Sequence, residues 1–237
     1  MKKVFIILLI FYNVSFAADR LTVATPFDFL PFSFIENGEL VGFDIDFLKA
    51  ISKDIGVELD FMQLESSNVI PAVASSIAEI GAGGVSISDE RRKIVDYSIA
   101  YFDSGFVILT SINDRLELDI NNLANKKVGF YLNSIAGDFL KNVKVGQIVR
   151  FVGYNNMIGE LLRGGVDAIF VDMPYAMYAI NRYYKKDLKI TGPLYFPHSY
   201  GFVFQKNSHI RKEFDRVIEE LRFNGTYKKI YVKWFNE

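Results

Sequence analysis

Asn155-Asn156-Met157-Ile158-Gly159-Glu160-Leu161-Leu162-Arg163-Gly164-Gly165-Val166-Asp167-Ala168-Ile169-Phe170-Val171-Asp172-Met173-Pro174 carries the alternation on which the fold class turns. Apolar spacing predicts a helix over 155–163, closed by Gly164 and Gly165, since glycine takes the left-handed conformation that ends a helix without steric cost. The uninterrupted apolar run 168–171 reads as a strand buried on both faces. Pro174 suits the first turn of a following helix, where its missing N–H is no loss, and that helix is expected to run to about Tyr184. Helix, strand and helix in this order is the pattern of an α/β protein.

The same alternation extends outward in both directions. Upstream, 128–131 and 147–151 read as strands and 134–141 as a helix opening. Nearer the N-terminus, 21–24 is a buried strand, and helical spacing runs from Asp44, an expected N-cap, through Phe47, Leu48, Ile51 and Ile55 to Gly56. A strand over 57–62 and a helix through Val69, Val73 and Ile77 lead to Gly81, Gly83 and Gly84, after which Ser88 is placed to cap the turn bearing Asp89, Glu90 and Arg91. Downstream, Gly192, Pro193 and Pro197 predict turns, 202–205 a strand, and 208–222 an amphipathic helix. No Ser/Gly-rich linker separates the units, which predicts two lobes joined by extended strands with a cleft between them.

Composition narrows the function classes. The 27 basic and 28 acidic residues of this 237-residue chain nearly cancel, so a global field for nucleic acid is absent and no nucleic-acid partner is expected. There is no cysteine, which excludes disulfides, thiolate metal sites and thiol nucleophiles. His198 and His209 lack the clustered partners of a zinc site or a hydrolase triad, so neither metal nor cofactor is expected. Lys2 and Lys3 precede an apolar run from Val4 to Tyr12, and Ser15 and Ala17 put small residues at a signal-peptidase site, predicting an export signal over 1–17. Asn13 and Ser15 interrupt that run short of the ~20 apolar residues of a membrane span. The mature chain is expected outside the cytoplasm, not embedded in the membrane.

Three places suit a small charged ligand, because ligands collect beyond the carboxyl ends of strands, where helix-start amides favour anions. At 84–91, Gly84 permits close backbone approach, Ser86 offers a hydroxyl and Arg91 a planar fork for a carboxylate. At 133–135, the Ser134 hydroxyl and the Ile135 amide open a helix. Asp172 puts a carboxylate at a strand end, an acceptor for an ammonium group. Each has a plainer reading: Arg91 as a solvated helix residue, Ser134 and Asp172 as caps. Together they pair donors and an acceptor for the two ends of an α-amino acid. The tyrosines at 175, 178, 183 and 184 could pass for a stacking surface, but their spacing favours core packing with a polar rim.

Val41-Gly42-Phe43-Asp44-Ile45-Asp46-Phe47, Ser86-Ile87-Ser88-Asp89-Glu90-Arg91, Val95-Asp96-Tyr97-Ser98, the strand ending at Asp172, and Lys233-Trp234-Phe235, in this order, resemble the bacterial extracellular solute-binding proteins of the polar amino acid family. The resemblance implies an α/β clamp of two lobes, each a mainly parallel sheet flanked by helices. Lobe 1 would comprise 18–108 with 201–237 and lobe 2 would be 113–198, with hinge segments at 109–112 and 199–200. It implies that the Gly84 amide, Ser86 and Arg91 hold the ligand carboxylate with Ser134 and the Ile135 amide, that Asp172 holds the α-ammonium, and that Phe29 covers the side chain.

Departures from the family pattern concern the side chain. Pro26 stands where an aspartate is usual, with Asp28 two positions on; Ser66 replaces an aromatic wall, Asn133 a glycine and Ala100 a proline. Phe29 then gives one apolar wall and Ser66, Ser67 and Asn68 a polar one, with Asp28 and Glu65 bringing negative charge to the rim. With the resemblance, the expected function is capture of a polar amino acid, arginine or lysine ahead of glutamine, in the periplasm by a monomer that delivers it to an inner-membrane ABC permease. Two alternatives stay open: a dehydratase-type enzyme on the same clamp, which would have lost the amine anchor, and a ligand-sensing partner of a membrane receptor.

Overall fold

The computed structural model describes residues 19–115, 117–132 and 134–235. The expected signal segment 1–17 and Asn133 lie outside the described residues. The first sheet opens with β1 (Arg20–Pro26), and a small antiparallel sheet follows from β2 (Asp28–Phe29), β3 (Ser33–Glu36) and β4 (Glu39–Val41). Helix α1 (Phe43–Ile55), β5 (Glu58–Leu64), α2 (Ser66–Ala74), β6 (Ile80–Gly81), the short α3 (Asp89–Arg92) and β7 (Asp96–Tyr97) come next. The chain then crosses to the second sheet as β8 (Phe102–Ser111), β9 (Lys127–Tyr131), α4 (Ala136–Leu140), β10 (Gln147–Phe151), α5 (Tyr154–Arg163), β11 (Ala168–Asp172), α6 (Met173–Ala179) with one π turn (Ile180–Tyr184), and β12 (Leu188–Tyr200). It returns for β13 (Val203–Phe204), α7 (Ile210–Phe223) and α8 (Thr226–Phe235).

The two sheets share one plan. The first has the order β5-β1-β6-β13-β7 and the second β10-β9-β11-β8-β12. In each, three neighbouring strands are parallel and the fourth, β13 or β8, runs against both of its neighbours. That reversed strand is the one that enters from the other lobe, so each crossing delivers it. The α/β class agrees with the sequence reading; the sheets are mixed, four of the five strands in each running one way and the fifth against them.

Sheet membership corrects the expected crossings. Residues 102–111 pair with β11 and β12, so the first sheet does not reach Ile108 and the first crossing lies at 98–101, not 109–112. The reason is burial: Phe106, Val107, Ile108 and Leu109 are all interior to the second sheet. The return lies at 201–202, just past the expected 199–200. The crossings lie side by side, with Tyr101 N–H donating to the Tyr200 carbonyl at 3.0 Å and Ser98 N–H to Phe202 at 2.9 Å. A second correction concerns Gly192, Pro193 and Pro197, which sit inside β12. As the edge strand of its sheet, next to β8, it absorbs them at register shifts between Thr191 and Tyr195 and between Tyr195 and His198.

Aromatic rings fill the seam around the crossings. Phe32 meets Phe102 and Tyr200 at 5.0 Å each, edge to face, and Phe102 meets Phe235 of α8 at 5.0 Å. Ala176 of α6 is buried, as the spacing predicted, and Tyr175 and Tyr178, expected on a polar rim, are buried with it. Among the described residues, no helix is long and apolar enough to cross a membrane.

Candidate ligand-binding site

The carboxyl ends of β1, β6, β9 and β11 converge on one cavity enclosing about 490 Å³ of space, part of it open to solvent. Eight of the nine residues singled out from the sequence line it: Phe29, Ser66, Gly84, Ser86, Arg91, Ser134, Ile135 and Asp172. Residues from both sheets therefore face the same space. Among the described residues no group of three or more His, Cys, Asp or Glu could hold a metal ion.

Arg91 rises from α3, whose start Ser88 caps by accepting the Arg91 N–H at 3.3 Å. The guanidinium is aimed by Nη1, which donates to the Ser86 carbonyl at 3.0 Å, and the Tyr97 hydroxyl reaches the same carbonyl at 3.2 Å. Ser86 is itself buried and bridges in register to Tyr200 at the crossing. The loop that delivers both is built on glycine: Gly83 and Gly84 have φ of 102° and 64°, and a Cβ on Gly84 would lie 2.4 Å from Cε1 of Phe29. The Phe29 ring thus lies flush on the loop as a cavity wall.

Two expected roles are corrected here. Asp44 is not the cap of α1, whose N-cap position is Gly42. Its fully buried carboxylate instead accepts the N–H groups of Gly83 (2.7 Å) and Gly84 (2.9 Å) and the Tyr101 hydroxyl (2.6 Å) on Oδ2. Burial pushes that carboxyl up to about 6, against the lowering effect of its three donors. The Gly84 amide is therefore already engaged and is not the donor to a ligand carboxylate; its carbonyl, an acceptor, is the polar group it has left to offer.

On the second sheet, the Ser134 hydroxyl donates to the Tyr131 carbonyl at 2.9 Å and accepts the Ala136 N–H at 3.2 Å, tightening the start of α4. Asp172, 4% exposed at the end of β11, accepts the Tyr200 hydroxyl on Oδ1 at 2.7 Å. His198 Nε2 stands 3.3 Å from the same oxygen. In the sequence His198 is marked only as a polar residue near a turn, and no local signal points to Asp172, since β12 brings it there through pairing with β8.

Asp28 is the residue that misses the cavity wall. Its Oδ2 accepts the Tyr131 hydroxyl at 2.9 Å, while Oδ1 is buried without a partner. Burial raises its carboxyl above the usual range, the Tyr131 bond opposes this, and nearby Glu65 adds to it. The wall opposite Phe29 is also less polar than expected: Ser66 is joined by Val69 and Ile70, while Ser67 and Asn68 are exposed on α2. Ser66 Oγ is buried with no partner. Sequence reading missed a tyrosine stack behind the second wall, in which Tyr154 meets Tyr131 at 4.5 Å and Tyr175 at 4.0 Å.

Arg91 and Asp172, of opposite charge, thus line one cavity from the two lobes. Residues 21–237 match the family described as bacterial extracellular solute-binding proteins, family 3. The chain belongs to this family. A putative ABC transporter arginine-binding protein 2 of Escherichia coli (strain K12) is 29% identical, with 100% of each chain covered. An arginine-binding periplasmic protein of Mannheimia haemolytica is 28% identical over 99% of this chain and 98% of its own. Among solved structures, an ancestral arginine-binding protein bound to glutamine superposes with a TM-score of 0.82 at 36% identity, covering 94% of this chain and 100% of the other. Within this family 3 member, the cavity between the sheets is the candidate solute site.

Proposed function

We propose that this protein captures an α-amino acid outside the cytoplasm, as a monomer, and delivers it to an inner-membrane ABC permease. The observation that carries the reading is the pairing in one cavity of the Arg91 guanidinium, aimed by Ser86, with the Asp172 carboxylate from the opposite sheet. Arg91, with Ser86, Ser134 and Ile135, takes the ligand carboxylate; Asp172 takes the ammonium group, and the Gly84 carbonyl is a second acceptor for it. A planar fork answers a carboxylate with two parallel bonds, which a lysine would not reproduce. Because the two anchors come from different lobes, ligand binding favours the closed clamp.

For the side chain, we propose a polar amino acid, with arginine or lysine ahead of glutamine. Phe29 supplies one apolar wall, while the unpartnered Ser66 Oγ and the negative charge of Asp28 and Glu65 beside the cavity favour a polar or cationic side chain. Relatives named for arginine support the same preference. The presence of Asp172 as an amine anchor favours binding over the dehydratase alternative. A receptor partner would use the same site. A thermal-shift screen of refolded, ligand-stripped protein against the common amino acids tests the reading, since stabilisation follows RT ln(1 + [L]/Kd). Stabilisation by no amino acid would refute it.

A further inference from the structure

Behind the amine anchor stands a buried imidazole that the capture of a zwitterion does not by itself require. His198 and Asp172 side chains are 8% and 6% exposed, and Nε2 lies 3.3 Å from Asp172 Oδ1. On the other side of the ring, Nδ1 lies 2.9 Å from the Phe196 carbonyl. A carbonyl only accepts, so a ring that bonds Phe196 carries a proton on Nδ1, and Nε2 is the nitrogen that faces the Asp172 carboxylate. Nε2 is buried and makes no hydrogen bond in this arrangement.

Other groups around the ring do not supply a competing charge. From its own strand, the Tyr200 hydroxyl donates to the same Asp172 oxygen, and burial holds that phenol well above its ordinary range, so it stays neutral. From β8, Ser104 pairs in register with His198 and donates to Tyr200 at 3.1 Å, and the Phe106 ring lies 5.1 Å away. Asp103, the next residue on β8, is engaged with the Ser199 hydroxyl at 2.8 Å. From α5, the Tyr154 phenol lies in the field of Asp172 and is likewise kept neutral by burial. Asp172 on β11 is the carboxylate that faces the ring.

We propose that His198 is a positioning residue that couples amino-acid capture to a proton: its imidazolium and the ligand ammonium compete for Asp172, so capture expels a proton and acid weakens capture. This rests on reading Asp172 as the amine anchor. A protonated His198 turns Nε2–H onto Oδ1 and neutralises the carboxylate that the ligand needs. By linkage, the proton weakens the ligand by the same factor as the ligand weakens the proton, about fivefold or more for a direct competition.

The test uses the full mature chain, with L-arginine and L-glutamine as probes. Calorimetry at pH 6.5 in buffers of different ionisation enthalpy is expected to show proton release on capture by the wild type, and a drop in affinity of about fivefold or more between pH 7.5 and 5.5. His198→Gln should lose that release and flatten that part of the profile. Asp28 and Asp44 also have raised carboxyls, so the decisive quantity is the difference between wild type and variant. Equal proton release in both would overturn the proposal. A second measurement needs no ligand: NMR of the histidine ring nitrogens in wild type and Asp172→Asn, in which the His198 signals should shift on loss of the carboxylate and those of the exposed His209 should not. An unmoved His198 overturns the coupling even if capture is normal, whereas a shifted His198 in a protein that binds neither probe refutes the amine-anchor reading.

Discussion

The Tyr131 hydroxyl, at the end of β9, donates to Asp28 Oδ2 at 2.9 Å, so one hydrogen bond joins the two lobes just outside the cavity wall. The Asp28 carboxyl is partly desolvated there, which makes its donor worth about 1.5–3 kcal/mol as a charge-assisted bond. Exposed Arg182 and Glu36 make a weaker bridge at 3.3 Å. Tyr131→Phe should therefore favour the open clamp. Solution scattering with saturating ligand is expected to show a larger radius of gyration than wild type, with weaker binding by calorimetry; identical radius and affinity would contradict the bridge.

Arg91→Ala removes the fork aimed by Ser86, and amino-acid binding is expected to weaken by about 3 kcal/mol or more. Arg91→Lys should recover little of it, because a point charge makes one bond where the fork makes two. Calorimetry showing less than about a tenfold loss for Arg91→Ala would remove this residue from the site.

Gly84→Ala places a Cβ 2.4 Å from Phe29 in a backbone conformation, φ 64°, that side chains rarely adopt. The ring must move, so the variant is expected to lose about 1–3 kcal/mol of stability and to bind its ligand more weakly. Thermal unfolding at the wild-type temperature, with unchanged affinity, would show that the loop does not carry the wall.

Asp44 gives the fold a titrating element. Its carboxyl is pushed up to about 6 in the folded chain from an ordinary value of 3.8, so between these values the folded state holds a proton that the unfolded state has released. This contribution to stability is present below about pH 4 and is lost as pH rises through about 6, amounting to about 3 kcal/mol. Comparing unfolding free energies of wild type and Asp44→Asn at pH 6.5 and pH 4 should show the balance shifting towards wild type at the lower pH. A difference independent of pH would contradict it.

What the sequence revealed follows physical range. The run 168–171 announced its strand because burial on both faces leaves an uninterrupted apolar signature, and Gly164 announced a helix end by its conformation. Strand β12 was hidden because Gly192, Pro193 and Pro197 read locally as turns, and only its edge position lets bulges accommodate them. Strands β2 to β4 are two to four residues long, too short for periodicity to register. Of the site, Arg91, Ser86 and Asp172 were legible as motifs within single segments. The destination of the Asp44 carboxylate, the Tyr131–Tyr154 stack and the approach of His198 to Asp172 depend on tertiary pairing between distant segments, which no local pattern encodes.

The central claim is that one cavity holds both ends of an α-amino acid and prefers a polar side chain. Calorimetric titration of ligand-stripped protein with L-arginine, L-lysine, L-glutamine and L-leucine tests it most directly. Binding is expected to be tightest with arginine or lysine, weaker with glutamine and weakest with leucine, since a polar side chain gives the buried, unpartnered Ser66 Oγ a partner and an apolar one leaves it unpaired, a difference of about 1–3 kcal/mol. Leucine binding tightest would contradict the polar cavity, and binding of none of the four would contradict the account itself.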